Sequence, residues 1–533
     1  METRKGRTWL AAMLLCVSPI AMADGMPPAS DNAEADPLMA VPTPWREYLM
    51  AARTAEQIVD PLQRCLAFPD LPGNKWPAGH AEAHCRFHFA HEKITPTEIE
   101  VMLDKGELEE LEKQLDERLA LHFSDTGYSE IIHEDLYFWV DEEGRNGRIA
   151  EKWLQLAPHS AHANVAYANF LLRSAWKARG GNYSSETPRE NLRRMSALVD
   201  QAIPYFDKAI SINPKMMPAY VGLIDLATLD SRDDLGRQAL AAARKVDPAS
   251  GNIASMHMRS LTPRWGGSYE QMLAYANELS AHVARRPQLA VYMTRPYADR
   301  GDRLIADGKI TDETLKILDI AVGIGSDENA LRDAANANQK LAKDELGHIK
   351  VLAYLLQDSR FSASTAWGVQ QLAWYLSLRE PQWSLKYALK SIELDPDSAL
   401  PHYLAGRGLL DAGRFEEADR EYRIALEDAG LRQGSLRDVA SMWLYRAGLD
   451  DAGAAARSGP YIDRLQREYP DDGWGMIMRL HHDWSLRKGV TVAEMRGLLE
   501  RIDRSDPWQA AMVEGIETTM NQAIEAAKSQ PTP

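Results

Sequence analysis

A spacing of 34 residues between two similar segments, "DQAIPYFDKAISINP" and "DLGRQALAAARKVDP", constrains the fold of this chain more than any other feature. Both contain a small residue, a bulky residue four positions later, a small residue three further on and a proline five after that. These places are held by Ala202, Phe206, Ala209 and Pro214 in the first segment and by Gly236, Leu240, Ala243 and Pro248 in the second. Small side chains let helices approach closely, a bulky one fills the gap between neighbouring pairs, and proline ends a helix. The spacing therefore predicts repeated pairs of helices.

The same order returns later, in "WSLKYALKSIELDP" and in "LPHYLAGRGLLDAGRFEEADREYRIALEDAG". The residues concerned are Ser384, Ala388, Ser391 and Pro396, followed by Gly406, Gly413, Phe415, Ala418, Tyr422 and Ala425. Gly430 stands in the helix-ending place, 34 residues after Pro396. Segments with this spacing resemble the tetratricopeptide (TPR) repeat, a pair of helices with a period of 34 residues.

The resemblance predicts an all-α fold, a TPR-like α-solenoid of helix pairs. We expect an N-terminal helical region, stapled by one disulfide, to precede the repeats. We expect a signal peptide (1–23), a disordered leader (24–43), the N-terminal helical region (44–154), TPR-like repeats (155–290), degenerate helical repeats (291–360), a TPR repeat pair (361–430) and C-terminal helices with a cap (431–533). In "DPLQRCLAFPDLPGN" and "PRWGGS" the chain also resembles a family of secreted TPR-like proteins of proteobacteria. That second resemblance brings no known activity with it.

The first 23 residues have the features of a secretory signal peptide. Arg4, Lys5 and Arg7 precede an apolar stretch over 9–20, and the cleavage motif "AMA" ends at Ala23. We expect cleavage after Ala23 and a periplasmic or secreted protein without membrane insertion, because the apolar stretch is too short to span a bilayer. Cleavage would remove a net charge of +2 from a chain whose net charge is −16. Because a protein of this negative charge repels phosphate groups, we expect neither nucleic acid nor an anionic membrane as its partner.

Two cysteines, Cys65 and Cys85, remain once Cys16 leaves with the signal peptide. An oxidising compartment favours a disulfide between them. The segment that separates them is rich in proline and glycine, which indicates a turn-rich loop that such a bridge would hold.

Four histidines, His80, His84, His88 and His91, follow closely in "GHAEAHCRFHFAHEK" and would share one face of a helix. His80 and His88 would be about 12 Å apart along that helix, so one straight helix offers only two histidines to one ion. Cys85 would be the natural further ligand, but a disulfide removes it. The sequence therefore favours no metal and no cofactor, and a metal-binding protein that uses this helix is kept as an alternative hypothesis.

By analogy with TPR grooves, four side chains are expected to face a protein or peptide partner: Asn169, Asp225, Tyr403 and Arg407. A fifth candidate, Trp265, lies in "TPRWGGSYEQML", where it is either a packed corner beside turn glycines or a binding aromatic at the edge of a loop. If the groove does not bind, the loops around Trp265 and residues 179–191 are the next candidates. The leading hypothesis is a periplasmic scaffold or adaptor for protein–protein interaction.

Motifs of catalysis are scarce in the chain. There is no G-x-S-x-G, no phosphate-binding Walker loop and no H-E-x-x-H. His481, His482 and Asp483 form a conceivable acid–base or metal group, although such residues are more often part of a helix surface. We therefore expect no enzyme, with an enzyme of unidentified hydrolytic class as an alternative.

Overall fold

The computed structural model describes residues 37–124, 130–138, 140–141, 143–342, 344–362, 365–377, 379–447, 452–486, 491–505 and 507–528. The predicted signal peptide and most of the predicted leader lie outside these residues. Within them the secondary structure is helical and contains no β-strand. No helix among them combines the length and the apolar character needed to cross a membrane.

The chain divides into two units, one from Pro42 to Ala363 and the other made of the segment that ends at Val41 and the segment from Ser364 onwards. The helices of the first unit are α1 (Trp45–Ala55), α2 (Pro61–Ala67), α3 (His80–Phe89), α4 (Pro96–Lys105), α5 (Leu108–His122), α6 (Ile132–Asp135), α7 (Arg145–Leu156), α8 (Ala161–Arg179), α9 (Arg189–Ile212), α10 (Met217–Leu229), α11 (Asp233–Val246), α12 (Gly251–Ser260), α13 (Tyr269–Ser280), α14 (Ala290–Met293), α15 (Arg295–Ala306), α16 (Asp312–Ile324), α17 (Glu328–Leu341) and α18 (Glu345–Phe361). Short 3₁₀ helices occur at Pro263–Trp265 and Pro287–Leu289.

The second unit is also helical. Its helices are α19 (Ala366–Ser377), α20 (Pro381–Leu394), α21 (Ala399–Asp411), α22 (Phe415–Ala425), α23 (Arg432–Ala447), α24 (Ala452–Glu468), α25 (Gly473–Ser485), α26 (Val492–Leu499) and α27 (Pro507–Lys528). Consecutive helices pack as pairs in both units, among them α8 with α9, α10 with α11, α17 with α18 and α21 with α22. The predicted all-α, TPR-like arrangement of helix pairs is confirmed.

The small and bulky residues of the repeat pattern make the contacts expected of them. Phe206 of α9 is fully buried and packs against Gly222 of the next helix, α10, where a Cβ atom would lie 2.1 Å from the ring. Tyr422 is likewise fully buried and packs on Gly406 within the pair α21–α22. Helices therefore approach closely where glycine faces an aromatic ring.

Replacing Gly222 by Ala is expected to lower the free energy of unfolding by about 1–3 kcal/mol, because the added methyl group overlaps the buried ring of Phe206. Gly323→Ala is the matched control, since a Cβ there meets no heavy atom within 4 Å. It should be neutral or stabilising, by at most about 1 kcal/mol. Urea unfolding followed by circular dichroism measures both variants, and equal stability of the two would refute a tight contact at Gly222.

Three local predictions are wrong in part. The leader was expected to be disordered through residue 43, but Pro37–Ala40 form a 3₁₀ helix, and the apolar Leu38 and Val41 are buried. The sequence also predicts a helix that opens with a capping pattern from Thr95 to Glu98. The capping box is present, but the helix ends at Lys105, where Gly106 adopts a left-handed conformation, and α5 follows. The sequence predicts a further helical stretch over about 128–141, which among the described residues is limited to the four residues of α6.

The first three helices of the first unit pack across its last helices. The Tyr48 hydroxyl donates to Ala353 O at 3.1 Å, and Trp76 Nε1 donates to Val322 O at 2.8 Å. Arg360, buried in α18, donates through Nε to Cys65 O at 2.9 Å. Since Cys65 is bonded to Cys85, the predicted disulfide is confirmed, and it ties α2 to the histidine-bearing helix α3. The N-terminal helical region is thus built into the unit that contains residues 291–360.

Candidate functional site

Three of the predicted partner-binding side chains, Asn169, Tyr403 and Asp225, are buried. Asn169 is 1% exposed, and its amide donates to Leu136 O at 2.7 Å. Tyr403 is 4% exposed and packs edge-on against Tyr422, with the Arg407 guanidinium 6.0 Å from its ring centroid. The expectation that Tyr403 lies on an exposed face is wrong, because α23 covers it: a Cβ on Gly434 would lie 3.6 Å from the Tyr403 hydroxyl. Changing Tyr403 and Arg407 together would therefore disturb packing as well as any groove.

Asp225, a third predicted partner-binding residue, is buried at the centre of a cationic cluster. It forms an ion pair with Arg173, accepts a hydrogen bond from Trp176 Nε1 at 3.2 Å, and lies 3.6 Å from Arg259 Nη1. The Arg259 guanidinium lies 4.5 Å from the ring centroid of Trp176 and 5.6 Å from that of Trp265. The structure thus brings Asp225 and Trp265 into one cluster. Both carboxylate oxygens of Asp225 already have partners within the chain, so neither is available to an external partner.

Trp265 is both a packed corner and part of a loop edge. Its ring meets that of Trp176 edge-on, with centroids 5.6 Å apart. Position 267, two residues after Trp265, requires glycine, because a Cβ atom there would lie 2.1 Å from Leu261 O. Half-buried, Trp265 lines a cleft of about 920 Å³ together with the loop after α8. The two loop segments named as reserve candidates therefore meet in one place.

The cleft follows one edge of three consecutive helix pairs. The C-terminal ends of α8, α10 and α12 form one wall, and the first turns of α9, α11 and α13 form the other. Asp230 on its rim accepts from Ser196 Oγ at 2.6 Å and from Arg232 Nε at 2.8 Å. The Asp230 carboxylate is therefore already neutralised by Arg232.

Two arginines at the Trp265 end of the cleft donate to backbone carbonyls instead of carboxylates. Arg179 donates to Gly180 O at 3.1 Å and to Asn182 O at 3.0 Å, and Arg264 donates to Gly181 O at 2.7 Å. Among the residues that the structure describes, neither has a carboxylate within ion-pair distance. Burial, followed by the charges of Arg264 and Arg259, lowers the pKa of Arg179. This end of the cleft carries uncompensated positive charge.

A second group of ionisable side chains is closed to any ligand. His122, Glu130 and Asp247 are buried together, but Arg286 lies between them, with Nη1 3.0 Å from Glu130 Oε1 and Nη2 3.3 Å from Asp247 Oδ2. Burial alone would raise the pKa of Asp247, but the hydrogen bond from His122 and the charge of Arg286 hold it below its usual value. Glu130 also accepts from the backbone nitrogens at Gly251 and Asn252, which begin α12. This group is a buried ion-pair network, with Arg286 where an ion would sit.

The four histidines of the α3 segment separate into different environments. His80 is buried, and its Nδ1 donates to Pro287 O at 2.9 Å while Nε2 lies 2.8 Å from Ser326 Oγ. Burial lowers the pKa of His80 to about 3. His91 lies beyond the end of α3 and is exposed. Of the four, the structure brings together His84 and His88.

His84 and His88 converge on a residue that the sequence did not single out, Glu328 at the start of α17. The two Nε2 atoms are 2.9 Å apart, and Glu328 Oε1 lies 3.6 Å from His84 Nε2 and 3.5 Å from His88 Nε2. Burial alone would raise the pKa of Glu328, but hydrogen bonds from both histidines hold it well below its usual value. His84, His88 and Glu328 are therefore close enough to one another to hold a metal ion.

The C-terminal group His481, His482 and Asp483 lies in contacts within and between α24 and α25. His482 is buried, and its Nδ1 lies 2.9 Å from Ser458 Oγ and 3.0 Å from Ala455 O, so it joins α25 to α24. Burial lowers the pKa of His481. Asp483 lies on the same helix 3.9 Å from Arg479 Nη1. These contacts hold helices together.

Comparisons with known proteins add little to this description. No protein-family model and no curated protein matches the chain. Several solved structures give weak matches, among them YrrB, a TPR protein with an unusual peptide-binding site (16% identity, 35% of this chain and 91% of that chain, TM-score 0.30); the Cut9–Hcn1 hetero-tetramer of the APC/C (13%, 92% and 98%, 0.28); and yeast Tom70 (11%, 82% and 98%, 0.28).

At these identities and TM-scores the matches carry no argument about activity or partner, and membership of a secreted proteobacterial family stays a prediction. The assignment of the fold depends on the helix pairs themselves, on their 34-residue spacing and on the glycine-to-aromatic contacts between them. By this internal evidence the chain is a TPR-like protein of packed helix pairs.

Proposed function

We propose that the chain is an extracytoplasmic scaffold for protein–protein interaction, a binding protein and not an enzyme. The observation that carries this proposal is the cleft along the edge of three helix pairs, with two arginines at one end that no carboxylate of the described residues neutralises. Stacked helix pairs present extended surfaces of this kind to partners. The net charge of −16 supports a protein partner over nucleic acid.

The partner that fits the cleft best is an extended segment of protein with an Asp or Glu side chain. A carboxylate placed at Arg264 would receive charge-assisted hydrogen bonds from a guanidinium that now donates to a backbone carbonyl. Tyr183, half exposed beneath the Arg264 guanidinium, and Trp265 offer aromatic surface on either side of that position. Arginine and aromatic residues together are the usual energetic anchors of interfaces.

Secretion of the chain to an oxidising compartment is part of the proposal. It is supported by the bond between Cys65 and Cys85, because structural disulfides are rare in reducing cytoplasm and common outside it. The N-terminal segment with its cleavage motif at Ala23 supports the same compartment.

Arg264→Gln is expected to weaken binding of acidic peptides by about 10- to 100-fold, since a hydrogen bond to a charged group contributes about 1.5–3 kcal/mol. A library of displayed 12-residue peptides is first selected on the full chain, and the enriched sequences are expected to contain Asp or Glu. Fluorescence anisotropy with a selected peptide then compares the wild type, Arg264→Gln and a peptide in which the acid is replaced by its amide.

Arg285→Gln is the matched control, because Arg285 is exposed in the same unit and does not line the cleft. It should bind the selected peptide as the wild type does. Enrichment of peptides without acidic residues, or equal losses in the two variants, would contradict the cleft as the binding surface.

A further inference from the structure

We propose that Nε2 of His84, Nε2 of His88 and Oε1 of Glu328 form a binding site for one zinc ion. Their separations are 2.9, 3.5 and 3.6 Å. Three ligands at about 2.0–2.2 Å from a tetrahedral ion are separated by about 3.3–3.6 Å. A single point therefore lies within ordinary zinc–ligand distance of all three atoms, and only a small movement of the two rings apart is needed.

His84 is oriented for this role by residues behind it. Its ring stacks on Phe361, with centroids 4.4 Å apart and planes 18° from parallel, and its Nδ1 lies 2.6 Å from Ser326 Oγ. In the zinc-bound form His84 Nδ1 donates to Ser326 Oγ, the Ser326 hydroxyl donates to His80 Nε2, and His80 Nδ1 donates to Pro287 O. This relay leaves the lone pair of His84 Nε2 for the ion. A hydrogen bond at the remote nitrogen is the usual way in which a ligating histidine is held.

Glu328 is placed by the start of α17. The preceding residue, Asp327, is fully buried, caps the helix by accepting from Ala330 N at 2.9 Å, and lies 2.8 Å from Arg295 Nε. These contacts hold Asp327 in place, and Asp327 directly precedes the proposed zinc ligand Glu328. Within the described part of the chain, the basic side chains that lie within ion-pair distance of the Glu328 carboxylate are the two histidines. The contrast with the His122 group is clear, because there Arg286 already occupies the place of an ion.

The donor set selects the kind of ion. Two imidazole nitrogens and one carboxylate oxygen suit zinc, whereas magnesium and calcium prefer oxygen ligands alone. The side chains of His88 and Glu328 are 30% and 19% exposed, so the site is reachable from solvent. Three protein ligands leave the fourth position of a tetrahedral ion to water or to an external ligand.

Zinc titration of the full chain without an affinity tag, after removal of metal by a chelator, tests this proposal. Isothermal titration calorimetry is expected to give one high-affinity ion per chain, which excess magnesium does not displace. His88→Gln and Glu328→Gln should each weaken that affinity at least about 100-fold, because loss of a direct ligand exceeds the 10- to 100-fold cost of losing a supporting contact. Both positions are partly exposed, so the variants should keep the helical circular dichroism of the wild type.

His91→Gln is the control, since His91 lies just beyond the same helix and outside the cluster. It should bind zinc as the wild type does. Cobalt added in place of zinc should give the visible absorption of a tetrahedral complex in the wild type and not in Glu328→Gln. Absence of a stoichiometric high-affinity ion in the wild type, or equal affinity in His88→Gln, Glu328→Gln and His91→Gln, would overturn the proposal.

Discussion

Replacing Arg286 by Met is expected to lower the free energy of unfolding by about 3–5 kcal/mol, the largest effect of any single substitution considered for this chain. The side chain of Arg286 is fully buried between the carboxylates of Glu130 and Asp247. Methionine fills much of the volume but leaves two carboxylates buried without their cation. Breaking such a pair costs far more than the pair itself contributes, because the remaining charges have lost their solvation.

Arg300→Met is the matched control, because Arg300 also pairs with a carboxylate, Glu313, but both side chains are more than half exposed. A surface pair of this kind contributes about 0–1 kcal/mol. Thermal and urea unfolding measure the two variants, and hydrogen exchange should show the loss of protection in Arg286→Met first at the start of α12. Equal stability of the two variants would show that the buried network carries no unusual energy.

Reducing the bond between Cys65 and Cys85 is expected to cost about 3 kcal/mol of stability, from the chain entropy that a loop of this length regains when unfolded. Cys65 and Cys85 are fully buried with Phe361 in one cluster. Unfolding of the wild type with and without a thiol reductant measures the loss of stability. In the non-reduced native protein, alkylation should label neither cysteine.

A double variant, Cys65→Ala with Cys85→Ala, separates the bond from other effects of the reductant. It should unfold at the same point with and without reductant, near the reduced wild type. Full alkylation of both cysteines in the native, non-reduced protein would refute the bond. Unchanged stability of the wild type on reduction would show that the contacts of Arg360 with the α2 segment hold it without the bridge.

The features that sequence predicted well are those encoded by near neighbours. The small, bulky and proline positions around Phe206 and Tyr422 recur at fixed spacing because each helix packs on the next one in the chain. The capping box at Thr95 and the bond between Cys65 and Cys85 are local in the same sense. Such signals survive in a single sequence.

The features that could not be predicted from the sequence depend on contacts between distant parts of the chain. Tyr403 has the residue type and position of a groove residue, but a later helix, α23, covers it in the folded chain. Glu328 is one of 77 acidic residues, and nothing near it in sequence shows that α3 lies against it. Arg179 and Arg264 are 85 positions apart by number, and only the fold brings both to the Trp265 end of the cleft.

The carboxylate of Glu130 has a consequence for how far the repeats can be treated as separate modules. In a linear repeat array each pair contacts only its neighbours, so pairs can be deleted or exchanged and the ends can unravel stepwise. Here Glu130 completes the first turn of α12 from 121 positions away, and Arg286 holds it there. A fragment that began at the first repeat would lack the Glu130 carboxylate, so the first backbone N–H groups of α12 would lose an acceptor and Arg286 would keep only Asp247 of its two ion-pair partners. This contact skips the helix pairs that lie between Glu130 and α12 in the chain, so these pairs are expected to unfold together and not stepwise from one end.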